Sequence, residues 1–200
     1  PGHEQARNYY RDLNLENATA TVRYEVNGVN YTRTVFSSFS DIVIMVRLEA
    51  DKSKALSFSL SYDSPLKSAV TVKGRKLLVR CEGAEHEGIP AAMHAECRVE
   101  VKTDGVQNTA DKQLVITDAT TATIYISAAT NFVNYRDASA DASQRAENYL
   151  KAAVRKPYET SLAAHVSLYK KQFDRVSFSL PATEQSLAET DTRVLNFHKG

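Results

Sequence analysis

Tryptophan is absent from this sequence, and only seven glycines, five prolines and two cysteines occur among its 200 residues. So few glycines leave no phosphate-cradling loop, whose successive backbone amides need residues without side chains. Two cysteines are too few for a disulfide framework. Cys81 and Cys97 could pair on neighbouring strands, but two buried free thiols are the simpler reading. No apolar run is long enough to span a bilayer, so no membrane span is expected. The first residues, PGHEQARNYY, hold neither a methionine start nor a secretory signal, so the native start is expected upstream. Neither sign of charge is in excess, with 25 lysines and arginines against 24 acids. The cations are scattered rather than clustered, which argues against nucleic acid as a partner.

What is present is strand pattern. ATATVRYEV alternates with Ala20, Val22, Tyr24 and Val26 on one face, and Asn27-Gly28 then signals a hairpin into VNYTRTVF. DIVIMVRLEA holds a nearly continuous apolar run, which fits a strand covered on both faces. ALSFSLSYDS alternates strictly, with Leu56, Phe58, Leu60 and Tyr62 inward. AVTVKG and RKLLVRCEG flank a Lys73-Gly74 turn, AECRVEVKTDG runs into Asp104-Gly105, and KQLVITD and TATIYISAATNF follow. About nine strands joined by short turns predict an antiparallel β-sandwich, mainly β in class.

After Asn134 the period changes. Asp141 stands three residues before Gln144 and ahead of ASQRAENYLKAAV, the spacing of a helix cap with its capping-box partner. Beyond Pro157, residues Tyr158, Leu162, Val166, Tyr169 and Phe173 recur at helical spacing and predict a helix burying that face, with His165 beside the stripe as a structural or solvated histidine. VSFSL, with Val176, Phe178 and Leu180 on one side, reads as a short strand ended by Pro181. The domain reading is a sandwich over residues 1–136, a two-helix linker with a final strand over 137–180, and an extended tail over 181–200.

One stretch resembles chemistry. EHEGIPAAMHAE, residues 85–96, holds His86, His94, Glu85, Glu87 and Glu96, with Cys81 and Cys97 on its flanks. A zinc site needs three or four ligands at short, rigid spacing, and neither HxxxH nor CxxC occurs. A mixed Cys/His site is conceivable, but no metal is expected. No nucleophile elbow or reactive-cysteine context is present. The stretch is long for a connection between strands, and long loops on a rigid sheet are where contacts sit. The favoured reading is a structural or interdomain loop, with His86, Glu87 and His94 as candidates for the rim of a substrate pocket.

Several segments, in order, resemble the N-terminal β-sandwich region of glycoside hydrolase family 95, the inverting α-L-fucosidases. They are YRDLNLENATATVRYEVNGVNYTR, VFSSFSDIVIMVRL, HEGIP, ISAATNFVNYRD, RAENYLKAAVRKPYETSLAAHVSLYKKQFDRVSFSL and ETDTRVLNF. Ser40 stands where that pattern usually has proline. The resemblance implies a sandwich of the super-sandwich type, with some N-terminal strands lying upstream, and a linker leading to an (α/α)6 catalytic barrel as partner. Hydrolysis of terminal α-L-fucosyl linkages of oligosaccharides would take place in that barrel. There a glutamate would act as acid, and asparagine and aspartate would activate the water. It therefore implies no catalytic residue among these 200 and no cofactor, and it suggests a periplasmic or secreted location. The alternative is a free-standing carbohydrate-binding or structural sandwich, disfavoured because most aromatics fall on the inward faces of the predicted strands.

Overall fold

The computed structural model describes residues 3–197. The outermost residues of the first and last predicted segments, 1–2 and 198–200, lie outside the described residues. Among the described residues, eleven strands and three α-helices follow one another. Strands β1 (Arg7–Asn14), β2 (Thr19–Val26), β3 (Val29–Ser38), β4 (Val43–Ala50), β6 (Ser68–Lys73), β7 (Lys76–Glu82), β8 (His94–Thr103) and β11 (Thr121–Thr130) form an antiparallel sheet in the order β1-β2-β3-β4-β11-β8-β7-β6. A second sheet, β5-β10-β9, is built from β5 (Leu56–Leu60), β10 (Gln113–Ala119) and β9 (Val106–Ala110). The antiparallel sandwich is therefore present, but its layers are unequal.

The side-chain period of two sorts each strand of the large sheet between two cores. One face carries Val26, Tyr31, Leu77, Val79, Val99, Val101 and Ile124, which close over Leu56, Leu114 and Ile116 of the small sheet. The other face carries Phe36, Val43, Met45 and Tyr125, which close over Leu150 and Ala153 of a helix. That helix, α1 (Ala142–Val154), lies across β8 and β11. The large sheet is thus the middle layer of three, which is why β4 and β11 are apolar on both faces.

Helix α1 begins as the sequence requires. The Asp141 carboxylate accepts from the Gln144 N–H at 2.9 Å. The Gln144 side chain instead turns to Asn148, so the capping box is only half made. Pro157 then opens α2 (Tyr158–Phe173), whose buried residues are Ser161 and His165. The predicted stripe flanks this buried line rather than forming it, and Phe173 is 39% exposed. Rotating the helix to bury His165 gives its ring two backbone partners, an advantage that an apolar periodicity does not register.

Three more expectations need correction. β1 and β9, both edge strands with mostly exposed residues, are additional to the expected nine. Residues 176–180 form no strand, and Val176, Phe178 and Leu180 are 79%, 84% and 71% exposed. The tail is not extended throughout: a 3-10 turn at Glu184–Leu187 and a short helix α3 (Thr190–Asn196) interrupt it. Among the described residues no helix is long and apolar enough to cross a membrane.

Candidate functional site

Strand directions gather the long connections at one end of the large sheet. β3 ends at Ser38 beside Val43 of β4, β11 ends at Thr130 beside Ala95 of β8, and β8 opens at His94 beside Glu82 of β7. The connections at residues 15–18, 39–42 and 83–93, and the excursion at 131–140, therefore leave the sheet from the same end. The turn at the opposite end between β2 and β3 is the expected Asn27-Gly28, with φ of 51° and 70°.

The connection at 83–93 is folded more tightly than its length suggests. His86 and Ile89 exchange both backbone hydrogen bonds, at 3.2 and 2.9 Å. Glu87 and Gly88 between them have φ of 52° and 78°, so HEGI is a two-residue turn of the mirror-image type that matches strand twist. Holding Glu87 in the left-handed region costs roughly 1 kcal/mol or more. His86 and Glu87 are exposed on this tip. His94 is half-buried at the start of β8. The three candidates thus divide between a tip and its base. Among the described residues, no group of three or more histidine, cysteine or acidic side chains is placed to hold a metal ion.

Glu96, from the same stretch, belongs to a different assembly. It is buried on the helix side of β8 and accepts from Arg98 Nη1 at 2.8 Å and Arg80 Nη1 at 3.2 Å. Arg98 also donates to the Ser143 hydroxyl of α1 at 2.6 Å. Beside it, Lys76 donates to Glu147 at 2.6 Å. Burial raises the Glu147 pKa, but the hydrogen bond and charge of Lys76 outweigh it and hold the carboxyl below its ordinary range. Lys76, Arg98, Ser143 and Glu147 line a cleft of about 480 Å³ with Lys73, Leu78 and Gln144. Most of its charges answer one another, so the cleft fastens α1 to the sheet.

Asn131 joins the two loops at this end of the sheet. This buried side chain accepts from the His94 N–H at 2.9 Å and donates to the carbonyls of Ala92 at 2.9 Å and Ala138 at 2.8 Å. All its partners are backbone atoms, so the sequence carried no signal of it. The excursion beyond it narrows to a second tip. Asn134 and Asp137 exchange backbone hydrogen bonds at 3.1 and 3.0 Å, and the Asn134 side chain caps the Arg136 N–H at 2.9 Å. Tyr135 stands on this tip 82% exposed, with the Arg136 guanidinium 4.9 Å from its ring centre. The NYRD sequence did carry this turn signal, since Asn and Asp side chains bond to backbone two residues on.

Helix α2 and its approach brace the remaining two turns. His165 Nδ1 accepts from the Phe39 N–H at 3.2 Å, and its Nε2 lies 3.3 Å from the Ala18 carbonyl. A backbone N–H only donates and a carbonyl only accepts, which requires neutral imidazole protonated at Nε2. The Tyr169 hydroxyl donates to the Leu15 carbonyl at 2.7 Å. Asp41, in the turn between β3 and β4, accepts from Lys156 at 2.5 Å and from Ser38 and Ser40 at 2.7 and 3.0 Å. Burial alone would raise its pKa; those three donors prevail and hold it below the ordinary carboxylate range. Ser40 contributes one of them, where the expected pattern has proline.

The resulting end is held by these hydrogen bonds and is apolar on its outside. Phe39, Ile42, Ile89, Phe132 and Val133 are 54%, 60%, 70%, 49% and 44% exposed there. Exposed apolar side chains gathered at one end of a sheet mark a place that meets another surface. The aromatics of these loops therefore do not follow the inward rule expected of the strands, and Tyr9 and Tyr10 of β1, 60% and 53% exposed, depart from it as well.

Comparison with known proteins agrees with this architecture. The chain is 29% identical to "Alpha-L-fucosidase 2" of Arabidopsis thaliana over 220 aligned residues, spanning 94% of this chain and 26% of that protein. A solved structure described as a putative kojibiose phosphorylase from human microbiome superposes with a TM-score of 0.58 at 13% identity, covering 83% of this chain and 25% of that one. At that identity the likeness is one of fold. The chain therefore spans about a quarter of each of these relatives. The family model matching residues 1–135 is that of glycosyl hydrolase family 65, N-terminal domain, where the sequence motifs resembled family 95. Both are N-terminal regions of glycoside hydrolases, and the chain belongs to the family of glycosyl hydrolase family 65 N-terminal domains.

Proposed function

We propose that this chain is the non-catalytic N-terminal sandwich of an α-L-fucosidase-like glycoside hydrolase. The observation that carries the reading is the alignment with Alpha-L-fucosidase 2 along 94% of the chain. A shared fold alone would not select fucose, since folds host many activities. Residues 1–136 form the sandwich in this reading, 137–180 lead away from it, and the chemistry resides in an (α/α)6 barrel. The barrel's acid and base stand far enough apart to admit a water, as inversion requires.

The sandwich braces that barrel with its looped end. Three features support this docking: the exposed Phe39, Ile42, Phe132 and Val133, the anchoring of that end by His165 and Lys156, and the further exposed apolar residues Leu187 and Leu195 in the tail. The tip bearing His86 and Glu87, with His94 at its base, rims the substrate pocket. The partner is the barrel of the same parent chain, and the substrate is an oligosaccharide ending in α-L-fucose.

The test is hydrolysis of an α-1,2-fucosylated trisaccharide by the full-length enzyme, followed by proton NMR during the first turnovers. Release of β-L-fucose before mutarotation supports an inverting fucosidase. Release of α-L-fucose, or none, contradicts it.

A further inference from the structure

The tip at residues 134–137 differs from the apolar surface around it. It is fixed by five hydrogen bonds. Val133 and Asn134 donate to the Asp137 carbonyl at 2.9 and 3.1 Å, and Asp137 donates back to the Asn134 carbonyl at 3.0 Å. The Asn134 side chain accepts from Arg136 N and the Asp137 side chain from Ser139 N, both at 2.9 Å. Its base is held by Asn131 from one side and by Arg145 from the other, the latter donating to the carbonyls of Thr130 and Phe132 at 3.1 and 2.7 Å. All this rigidity presents one aromatic ring, 82% exposed, with the Arg136 guanidinium over it at 4.9 Å from the ring centre.

A docking surface between domains buries aliphatic and phenyl groups, and Phe39, Ile42 and Val133 already supply these. Tyr135 and Arg136 add something else: a flat π face and a fork of N–H donors. Those two groups match a pyranose, whose C–H face packs on an aromatic ring while its hydroxyls accept from a guanidinium. A ring carried on a preorganised turn loses little conformational freedom on binding, so its contact is realised in affinity. The tip is also tied through Asn131 to the loop that carries His86 and Glu87. Both tips therefore keep a fixed relation to whatever meets this end of the sheet.

We propose that Tyr135, assisted by Arg136, is a substrate-contacting residue that stacks on the oligosaccharide beyond the sugar being cleaved. This deepens the functional reading above and rests on it. The residue is a specificity determinant, remote from the reacting atoms. It therefore affects substrates that carry further sugars and leaves an aryl α-L-fucoside, which carries none, untouched.

The experiment is steady-state kinetics of the full-length enzyme on an α-1,2-fucosylated trisaccharide and on 4-nitrophenyl α-L-fucoside, with wild type, Tyr135→Ala and Tyr135→Phe. Loss of a stacking contact raises KM for the trisaccharide by about five- to tenfold in Tyr135→Ala with kcat retained. The aryl fucoside keeps its kinetics in both variants, and Tyr135→Phe behaves as wild type, because stacking needs the ring and not the hydroxyl. Unchanged trisaccharide KM in Tyr135→Ala overturns the proposal and leaves the functional reading standing. A parallel loss on both substrates, with a lowered melting temperature, also overturns it and makes Tyr135 a domain-docking residue. An enzyme releasing fucose from neither substrate overturns the functional reading and this proposal with it.

Discussion

His165 Nδ1 accepts the backbone N–H of Phe39 at 3.2 Å across 126 positions of sequence. Together with the Ala18 carbonyl at 3.3 Å, it pins two turns of the large sheet to α2, whose Tyr158 and Leu162 pack against the Phe36 core. Replacing His165 by alanine is expected to cost about 2–3 kcal/mol, because a part-buried backbone donor loses its partner and a cavity opens beside Phe36. Urea denaturation measures the loss. Hydrogen exchange locates it: the Phe39 amide exchanges much faster in the variant, while amides of β7 stay protected.

Tyr158 gives the fold an alkaline limit. Burial pushes its phenol up to about 12, with Glu159 adding to the rise and Arg47 opposing it. The folded state therefore favours the neutral phenol. The stability this contributes is complete below the unfolded value near 10 and is lost as pH rises from there to about 12. A series of urea midpoints from pH 8.5 to 11.5 is expected to fall more steeply for wild type than for Tyr158→Phe.

The two helices should differ in their response to truncation. Leu150 is fully buried against Met45 and Tyr125, so Leu150→Ala is expected to cost about 3–5 kcal/mol. Phe173 is 39% exposed and stacks on Tyr169 at 5.1 Å, so Phe173→Ala is expected to cost about 1 kcal/mol. Comparing the two melting temperatures checks the pair. Equal losses would mean that α2 is docked as firmly as α1.

Gly105 marks where the chain crosses from the large sheet to the small one. A Cβ there would lie 2.5 Å from the Thr117 carbonyl oxygen and 2.7 Å from Ala119 Cβ. Backbone and core atoms do not yield as a flexible side chain would. Gly105→Ala is therefore expected to lower stability by about 2–3 kcal/mol, within the range of overpacked sites. Gly74→Ala, with open space around it, serves as the comparison. Gly74 has φ of 60°, so its own cost is the strain of that turn alone.

The sequence revealed the interior strands because burial imposes period two, and the double apolar period of residues 42–48 implied two covered faces, which holds for Val43, Met45, Val46 and Leu48 but not for Ile42 and Ile44, 60% and 42% exposed. It did not reveal β1 or β9, since an edge strand held by backbone pairing need not alternate. Asp104-Gly105 read as another hairpin turn, yet β8 and β9 lie in different sheets. The turn is local, and its destination depends on contacts far away in the chain. VSFSL shows the converse: it alternates, but no strand among the described residues pairs with it. At the looped end, His86 and Glu87 were visible because histidines and carboxylates cluster in residues 85–96, whereas the tight turn that carries them was not. Asn131 and the role of His165 were invisible because their partners are backbone atoms of residues distant in sequence.

Fucose release measured side by side for this 200-residue chain and for the same chain extended through the catalytic region tests the account most directly. The account predicts release from an α-1,2-fucosylated trisaccharide only by the extended protein. Release by the 200-residue chain itself would contradict it and would move the chemistry back to the tip that carries His86 and Glu87.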